Sequence, residues 1–383
     1  MRSHRREVTP RLYGTDDART MARRRMPRMI FDFVDGAAGS ETADRLNRAA
    51  IDRIRLQPRV LVNVENRRLS KPILGREMAL PFGIAPMGMC DLTWPGADRA
   101  LAAQAVRSGI PLCLSSAAST TLEAMHPLAA GLAWFQLYVG ESEDAAMEMV
   151  DRAEAAGYEV LILTVDVPQT SKRLRDQKNG FRVPFKLGPR QFLDFALHPR
   201  WAIETLLSGV PKPMNYETAK HGHGFVRDES RGRTDWAFLE RLRARWKGKL
   251  VVKGVLNSDD AIRVMDTGAD AIYVSNHGGR QLDSAPAAIR VLPAIRDAVG
   301  KDYSLIFDSG LRNGEGIVKA LALGADFVML GRPIMYALGA DGARGLSTLI
   351  DILADEISVT IAQLGCRRVE DIDAGVLADA FEE

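Results

Sequence analysis

His277 stands in the run Ser275-Asn276-His277-Gly278-Gly279-Arg280, directly after a short apolar segment. A histidine there is either a hydrogen-bonded structural residue or a general base. The two glycines behind it leave room beside the ring, and Arg280 offers a two-pronged fork to a carboxylate. Asp166, at the end of another apolar run, can orient an imidazole and stabilise its cation. Together these residue types suit removal of a proton from a small anionic molecule. Lys253, Arg312, Arg332 and Arg173 add positive charge against Asp166 and Asp308.

Elements must bring these distant residues together. Eight apolar runs have strand character: Phe82–Met87, Ile110–Ser115, Ala133–Val139, Val160–Asp166, Leu250–Val255, Ala271–Asn276, Ser304–Ser309 and Asp326–Gly331. Continuous apolar strands are buried on both faces, as in a parallel sheet. Amphipathic patterns lie between them, including Glu143–Ala156, Ser258–Thr267, Ala287–Val299 and Gly314–Leu323. Gly109, Gly157, Gly268 and Gly324 stand where helix turns to strand. Eight such units predict an α/β fold, a (β/α)8 TIM barrel with an N-terminal helical segment. An open doubly wound sheet is the second reading.

Polar residues fall at one end of every run. Strand one ends in Pro86-Met87-Gly88, and strand two carries Ser115. Strand three carries Gln136 and Tyr138, strand four Thr164 and Asp166, and strand five Lys253. Strand six ends at Ser275, strand seven in Asp308-Ser309-Gly310-Leu311-Arg312, and strand eight in Gly331-Arg332. In a barrel all of these converge on one mouth. Glycines after the last two strands let backbone N–H groups approach a phosphate. The chain has no G-x-G-x-x-G after a strand and no G-x-x-x-x-G-K-[ST], which argues against nicotinamide and nucleoside triphosphate sites.

The chain of 383 residues is read as one domain over 1–383, with net charge +2 and nothing global that points to nucleic acid. A helix and two loops need roughly 20–25 residues. Far more separates the fourth and fifth strands, so 176–233 is read as a long insertion. Within it, 180–213 mixes Phe181, Phe185, Phe192, Phe195 and Trp201 with Arg182, Lys186, Arg190, Arg200 and Lys212. That is either a membrane-interface segment or a lid over the mouth. The arginine-rich N-terminus is either a solvated tail or a contact with an anionic surface. His221 and His223 lack carboxylate or cysteine company, so no metal site is expected. Cys90, Cys113 and Cys366 fit reduced thiols in a cytoplasmic protein. No signal peptide or spanning helix is expected, so any membrane contact would be peripheral, on the inner face.

The segment Ser275–Asp283, SNHGGRQLD, resembles the signature of the FMN-dependent 2-hydroxy-acid dehydrogenases and oxidases, which include glycolate oxidase, L-lactate dehydrogenase and (S)-mandelate dehydrogenase. Phe135–Tyr138, Thr164–Asp166, Val252–Gly254, Asp308–Arg312 and Leu330–Pro333 resemble the family in order. Leu197–Trp201 and Trp94–Gly96 resemble its mandelate enzymes most. The resemblance implies FMN and oxidation of an (S)-2-hydroxy acid, mandelate- or lactate-like, to the 2-oxo acid. It implies that His277 takes the hydroxyl proton, paired with Asp166, and that Arg280, Arg173 and Tyr138 hold the substrate. Lys253 would lie near flavin N1. Pro86, Met87, Gly88, Ser115, Gln136, Thr164 and Ser275 would contact the ring and ribityl chain. Asp308, Ser309, Gly310, Leu311, Arg312, Gly331 and Arg332 would hold ribityl and phosphate. A homotetramer is also implied.

Two positions depart from the family's pattern. Phe33 stands where the family has a tyrosine that donates to the substrate carboxylate. Gly88 stands where the oxidases commonly have alanine, which favours a dehydrogenase. No haem attachment motif is present, so an external acceptor is expected, quinone or a carrier protein. An oxidase that uses oxygen and releases hydrogen peroxide is the alternative.

Overall fold

The structure is a computed structural model that describes residues 12–140, 142–182, 188–220 and 230–378. His221 and His223 lie outside the described residues. The chain enters through α1 (Thr15–Arg25), α2 (Arg28–Asp35) and α3 (Thr42–Arg53). A two-residue turn with Leu74 at φ 51° and Gly75 at φ 84° then joins β1 (Lys71–Ile73) to β2 (Arg76–Met78). Sequence patterning did not identify this hairpin. Its Ile73 and Met78 pack with Trp134, Tyr273 and Phe327 inside the barrel.

Eight parallel strands follow: β3 (Phe82–Met87), β4 (Leu112–Ser115), β5 (Ala133–Leu137), β6 (Val160–Thr164), β7 (Lys249–Val255), β8 (Ala271–Val274), β9 (Ser304–Phe307) and β10 (Phe327–Leu330). Each pairs with the next, and β10 pairs back onto β3 through Val328 and Phe82. The sheet is therefore closed, which excludes the open doubly wound alternative.

Helices α4 (Ala97–Ser108), α5 (Leu122–Leu128) and α6 (Glu143–Ala155) cover the first strands. Between β6 and β7 lie α7 (Leu174–Asn179), α8 (Pro189–Ala196), α9 (Pro199–Ser208), α10 (Met214–Glu217) and α11 (Trp236–Arg245). The chain ends with α12 (Ser258–Asp266), α13 (Ala288–Val299), α14 (Gly314–Ala322) and α15 (Arg332–Gln363). Asn257 and Asn313 cap α12 and α14 by accepting from their first backbone N–H groups. Gly109, Gly157, Gly268 and Gly324 all adopt positive φ where a helix gives way to a strand.

The N-terminal segment packs over the barrel's C-terminal mouth. Helix α1 lies along α15, α2 meets α7, and α3 abuts the turn at 277–279. Asp283, in the signature run, accepts from the backbone N–H groups of Ser40, Thr42 and Ala43 and so fixes the start of α3. Asn47 of α3 and Asn276 exchange side-chain amide bonds at 2.8 Å in both directions.

Candidate active site

Asp166 follows β6 and His277 follows β8, with β7 between them. The His277 Nδ1 lies 3.0 Å from Asp166 Oδ1. Gly254 on β7 makes this crossing feasible. A Cβ there would sit 2.5 Å from the Asp166 Cβ, and the backbone has φ +107°. His277 itself has φ 58°, followed by Gly278 at 64° and Gly279 at 74°. This left-handed run turns the chain sharply after β8. It is clamped by Ser275 Oγ accepting from His277 N–H at 2.9 Å and Ser309 Oγ accepting from Gly278 N–H at 3.0 Å. A non-glycine residue held there is a local strain that surrounding bonds must sustain.

The imidazole faces a cavity of about 240 Å³. Phe33, Tyr138, Arg173, Lys253, His277 and Arg280 line one part of it. Pro86–Gly88, Ser115, Asp308–Arg312, Gly331 and Arg332 line another part. Asp166 and Ser275 stand one layer behind. Asp166 meets the far edge of His277, and Ser275 Oγ accepts from Lys253 Nζ at 3.0 Å. Gln136 and Thr164 also stand behind the lining, and Gln136 Oε1 accepts from Ser115 Oγ. Tyr138 Oη is 3.5 Å from His277 Nε2.

Burial is the largest influence on His277. It pushes the imidazole below its ordinary value, against the pull of Asp166. For Asp166, burial alone would raise the carboxyl. The neighbouring His277 and Lys253 outweigh burial and hold it below the usual range. Lys253 is likewise penalised by burial, but Asp308 at 3.7 Å and Asp166 raise it overall. Burial pushes the Tyr138 phenol up to about 12. The site at neutral pH therefore holds a neutral imidazole, a carboxylate, an ammonium and a phenol.

Arg280 is held by the carbonyl end of α2. It donates to Phe33 O at 2.9 Å, Val34 O at 3.1 Å and Gly36 O at 2.8 Å. Its guanidinium lies 5.5 Å from the Phe33 ring centre. Arg332 uses the same helix end, donating to Val34 O and Gly36 O, and meets Asp44 of α3 at 3.1 Å. Asp44 also lies 3.5 Å from Arg312. One carboxylate thus faces two arginines, beside the N-terminus of α15, an arrangement that favours an anion.

A phosphate-bearing ring cofactor fits these residues. Among the described residues, Gln136 Nε2 and Thr164 Oγ1 are buried with no hydrogen-bond partner. Buried polar atoms normally have one. No three potential metal ligands come together among the described residues.

Sequence reasoning missed several contributors. Arg231 and Phe181, from the β6–β7 connection, line the cavity, and Phe181 stacks on Phe33 at 4.4 Å between ring centres. Asp44 and Asn47 act from α3, with no local signal to mark them. Asp283 was visible within the signature, but its capping task was not.

The β6–β7 connection is pinned to the barrel by Trp201, whose indole N–H donates to Leu92 O at 2.8 Å. Its outer surface exposes large apolar side chains: Phe192 is 70% exposed, Leu206 73% and Leu207 84%. No helix among the described residues is long and apolar enough to cross a membrane.

Comparison with known proteins shows the same pattern along nearly the whole chain. A profile for FMN-dependent dehydrogenases matches residues 22–379. An (S)-mandelate dehydrogenase of Pseudomonas putida is 37% identical over 364 residues, 94% of this chain and 92% of that one. An L-lactate dehydrogenase of Pseudomonas syringae pv. syringae is 37% identical over 375 residues, covering 96% and 98%. A crystal structure of (S)-mandelate dehydrogenase described as a monotopic membrane protein superposes with a TM-score of 0.91. It has 36% identity and covers 96% of this chain and 100% of that chain.

Proposed function

This chain belongs to the FMN-dependent dehydrogenase family, and on that premise we propose that it oxidises an (S)-2-hydroxy acid to the 2-oxo acid and passes the electrons to a membrane quinone. The observation that carries this reading is the His277–Asp166 pair facing one cavity with Arg173 and Arg280. Asp166 occupies Nδ1, so Nε2 is the nitrogen that accepts the substrate hydroxyl proton. Asp166 then stabilises the imidazolium. Arg173 and Arg280 orient the carboxylate, and Tyr138, 3.5 Å from Nε2, hydrogen-bonds the substrate oxygen.

FMN, when bound, accepts the two electrons and the hydrogen from the substrate C2. Asp308–Arg312, Gly331 and Arg332 would hold its ribityl and phosphate. Pro86–Gly88 and Ser115 would meet its ring, backed by Gln136, Thr164 and Ser275, with the buried Lys253 ammonium supplying positive charge. The stacked Phe33 and Phe181 rings favour an aromatic substituent, as in mandelate, over the methyl of lactate.

The exposed leucines of α9 and Phe192 of α8 support peripheral attachment to a bilayer. Gly88, where the oxidases commonly have alanine, supports an acceptor other than oxygen. The deciding experiment adds mandelate, lactate and other 2-hydroxy acids to the yellow protein without oxygen. Bleaching of the flavin, absent in His277→Gln, is expected. A yellow colour that no hydroxy acid removes defeats the reading. Oxygen uptake matching substrate loss would assign the oxidase alternative instead.

A further inference from the structure

A second cavity, of about 210 Å³, lies between α9 and the loops that follow β3 and β4. Asp91, Pro95, Ser119, Thr205 and Ser208 are among its lining residues. Thr205 is 6% exposed, and the buried Oγ1 of Thr205 and Oγ of Ser119 have no hydrogen-bond partner among the described residues. Such hydroxyls are normally satisfied, and both side chains border this cavity, so a polar occupant that draws them round can pair with them. A dry cavity of roughly 150 Å³ holds a benzene ring, so this one has room for a six-membered ring with oxygen substituents.

The position of this cavity ties it to the first. Met89 and Ala117 line the larger cavity, while Asp91 and Ser119 line this one. On each loop the two are separated by one residue, so their Cα atoms are at most about 7 Å apart. The two cavities therefore share the loops that follow β3 and β4. On the outside, Leu206, Leu207 and Val210 are exposed beside Thr205 and Ser208. An apolar tail would cover them. Met214 N–H donating to Ala118 O at 2.9 Å, and Trp201 donating to Leu92 O, fix the outer wall to the same loops.

We propose that this second cavity binds the ring of a lipid-soluble quinone, with Thr205 and Ser119 donating to its carbonyl oxygens and its tail lying over the apolar surface of α9. The inference rests on the quinone reading above and assigns it a place. In each turnover the hydroxy acid loses two electrons and two protons. The quinone gains two electrons and two protons, its carbonyls become hydroxyls, and the cofactor is unchanged overall. Protons from His277 leave and reach the quinone through solvent. Asp91 also lines the cavity, with its carboxylate accepting from the Asp98 backbone N–H at 3.0 Å.

The test uses the flavin-loaded protein and two probes. The first is a tailless dimethoxy-methyl-1,4-benzoquinone, titrated by calorimetry. The second is an azido-benzoquinone cross-linked by light, with the adduct located by peptide mass spectrometry. The Ser119→Ala/Thr205→Val double variant keeps the volume nearly unchanged and should weaken quinone binding about 10- to 30-fold, the loss of two hydrogen bonds. Thr205→Ser should restore most of it. Label on 199–214 or on Asp91–Pro95 is expected. Unchanged affinity in the double variant, label confined to the larger cavity, or a lipid acyl chain that quinone does not displace would overturn the proposal. Bleaching by a hydroxy acid is read in parallel. If bleaching occurs but label falls elsewhere, only the quinone site fails. If nothing bleaches the flavin, the reaction itself fails.

Discussion

Asp166 reaches His277 across an intervening strand, at 3.0 Å, because β7 carries glycine at 254. Two changes test this relationship. Asp166→Asn leaves the shape but removes the charge that stabilises the imidazolium, and kcat is expected to fall about 100-fold or more. Gly254→Ala should have a similar effect from the other side, by displacing Asp166. Steady-state rates with a soluble dye acceptor measure both. Wild-type kcat in either variant would contradict the assignment.

The pH profile follows from the buried imidazole. In the proposed reaction the neutral form is the base, and burial holds its pKa below the ordinary 6.5. Activity should therefore rise with pH through a value under 6.5 and stay level across neutrality. In Asp166→Asn the influence that raises the imidazole is gone, so the acid limb should shift lower still while the plateau drops. A profile of kcat/KM from pH 4.5 to 9 shows either result.

Phe33→Tyr restores a hydroxyl beside Arg280. A gain of one hydrogen bond is worth about 1–1.5 kcal/mol, so KM for a small hydroxy acid should fall about tenfold with kcat little changed. If KM for lactate and mandelate stays the same, the hydroxyl does not reach the carboxylate.

Lys253 is buried with Asp308 and Asp166 nearby. Lys253→Met leaves those carboxylates uncompensated, and thermal or urea unfolding should report a loss of about 3–5 kcal/mol. The folded-state pKa of Lys253 is raised above 10.5. The contribution is thus fully present below that pH and is lost as pH climbs through the folded value.

Leu206→Ser with Leu207→Ser removes two exposed apolar side chains from α9. Burying a leucine contributes about 1.5–3 kcal/mol, so vesicle sedimentation should show at least about 100-fold weaker binding. Equal binding would place the membrane contact elsewhere.

The barrel was readable in the amino-acid order because its strands are buried on both faces and its helix-to-strand turns need glycine. Polar residues at the strand ends marked the mouth for the same reason: a core position would not tolerate them. The hairpin at 71–78 was too short to show a period. The support from α3 was invisible because Asn47 meets Asn276 across 229 positions of sequence, and nothing local announces such a partner. Arg231 was likewise hidden, since an arginine in a polar stretch looks solvated until the chain folds back. The strand pattern also ran on too far. Ala133–Val139 and Val160–Asp166 end as strands at Leu137 and Thr164, and beyond them Tyr138 turns to the cavity and Asp166 to His277.

Arg332 grips the carbonyls of Val34 and Gly36, 298 and 296 positions earlier in the chain. During synthesis the first helices are therefore complete long before their counterpart exists. If these residues hold the phosphate as proposed, that end of the cavity is complete only after the last barrel strand has left the ribosome, and loading of the prosthetic group is a late event in the protein's life. Chains arrested before residue 327 should emerge colourless even with abundant flavin.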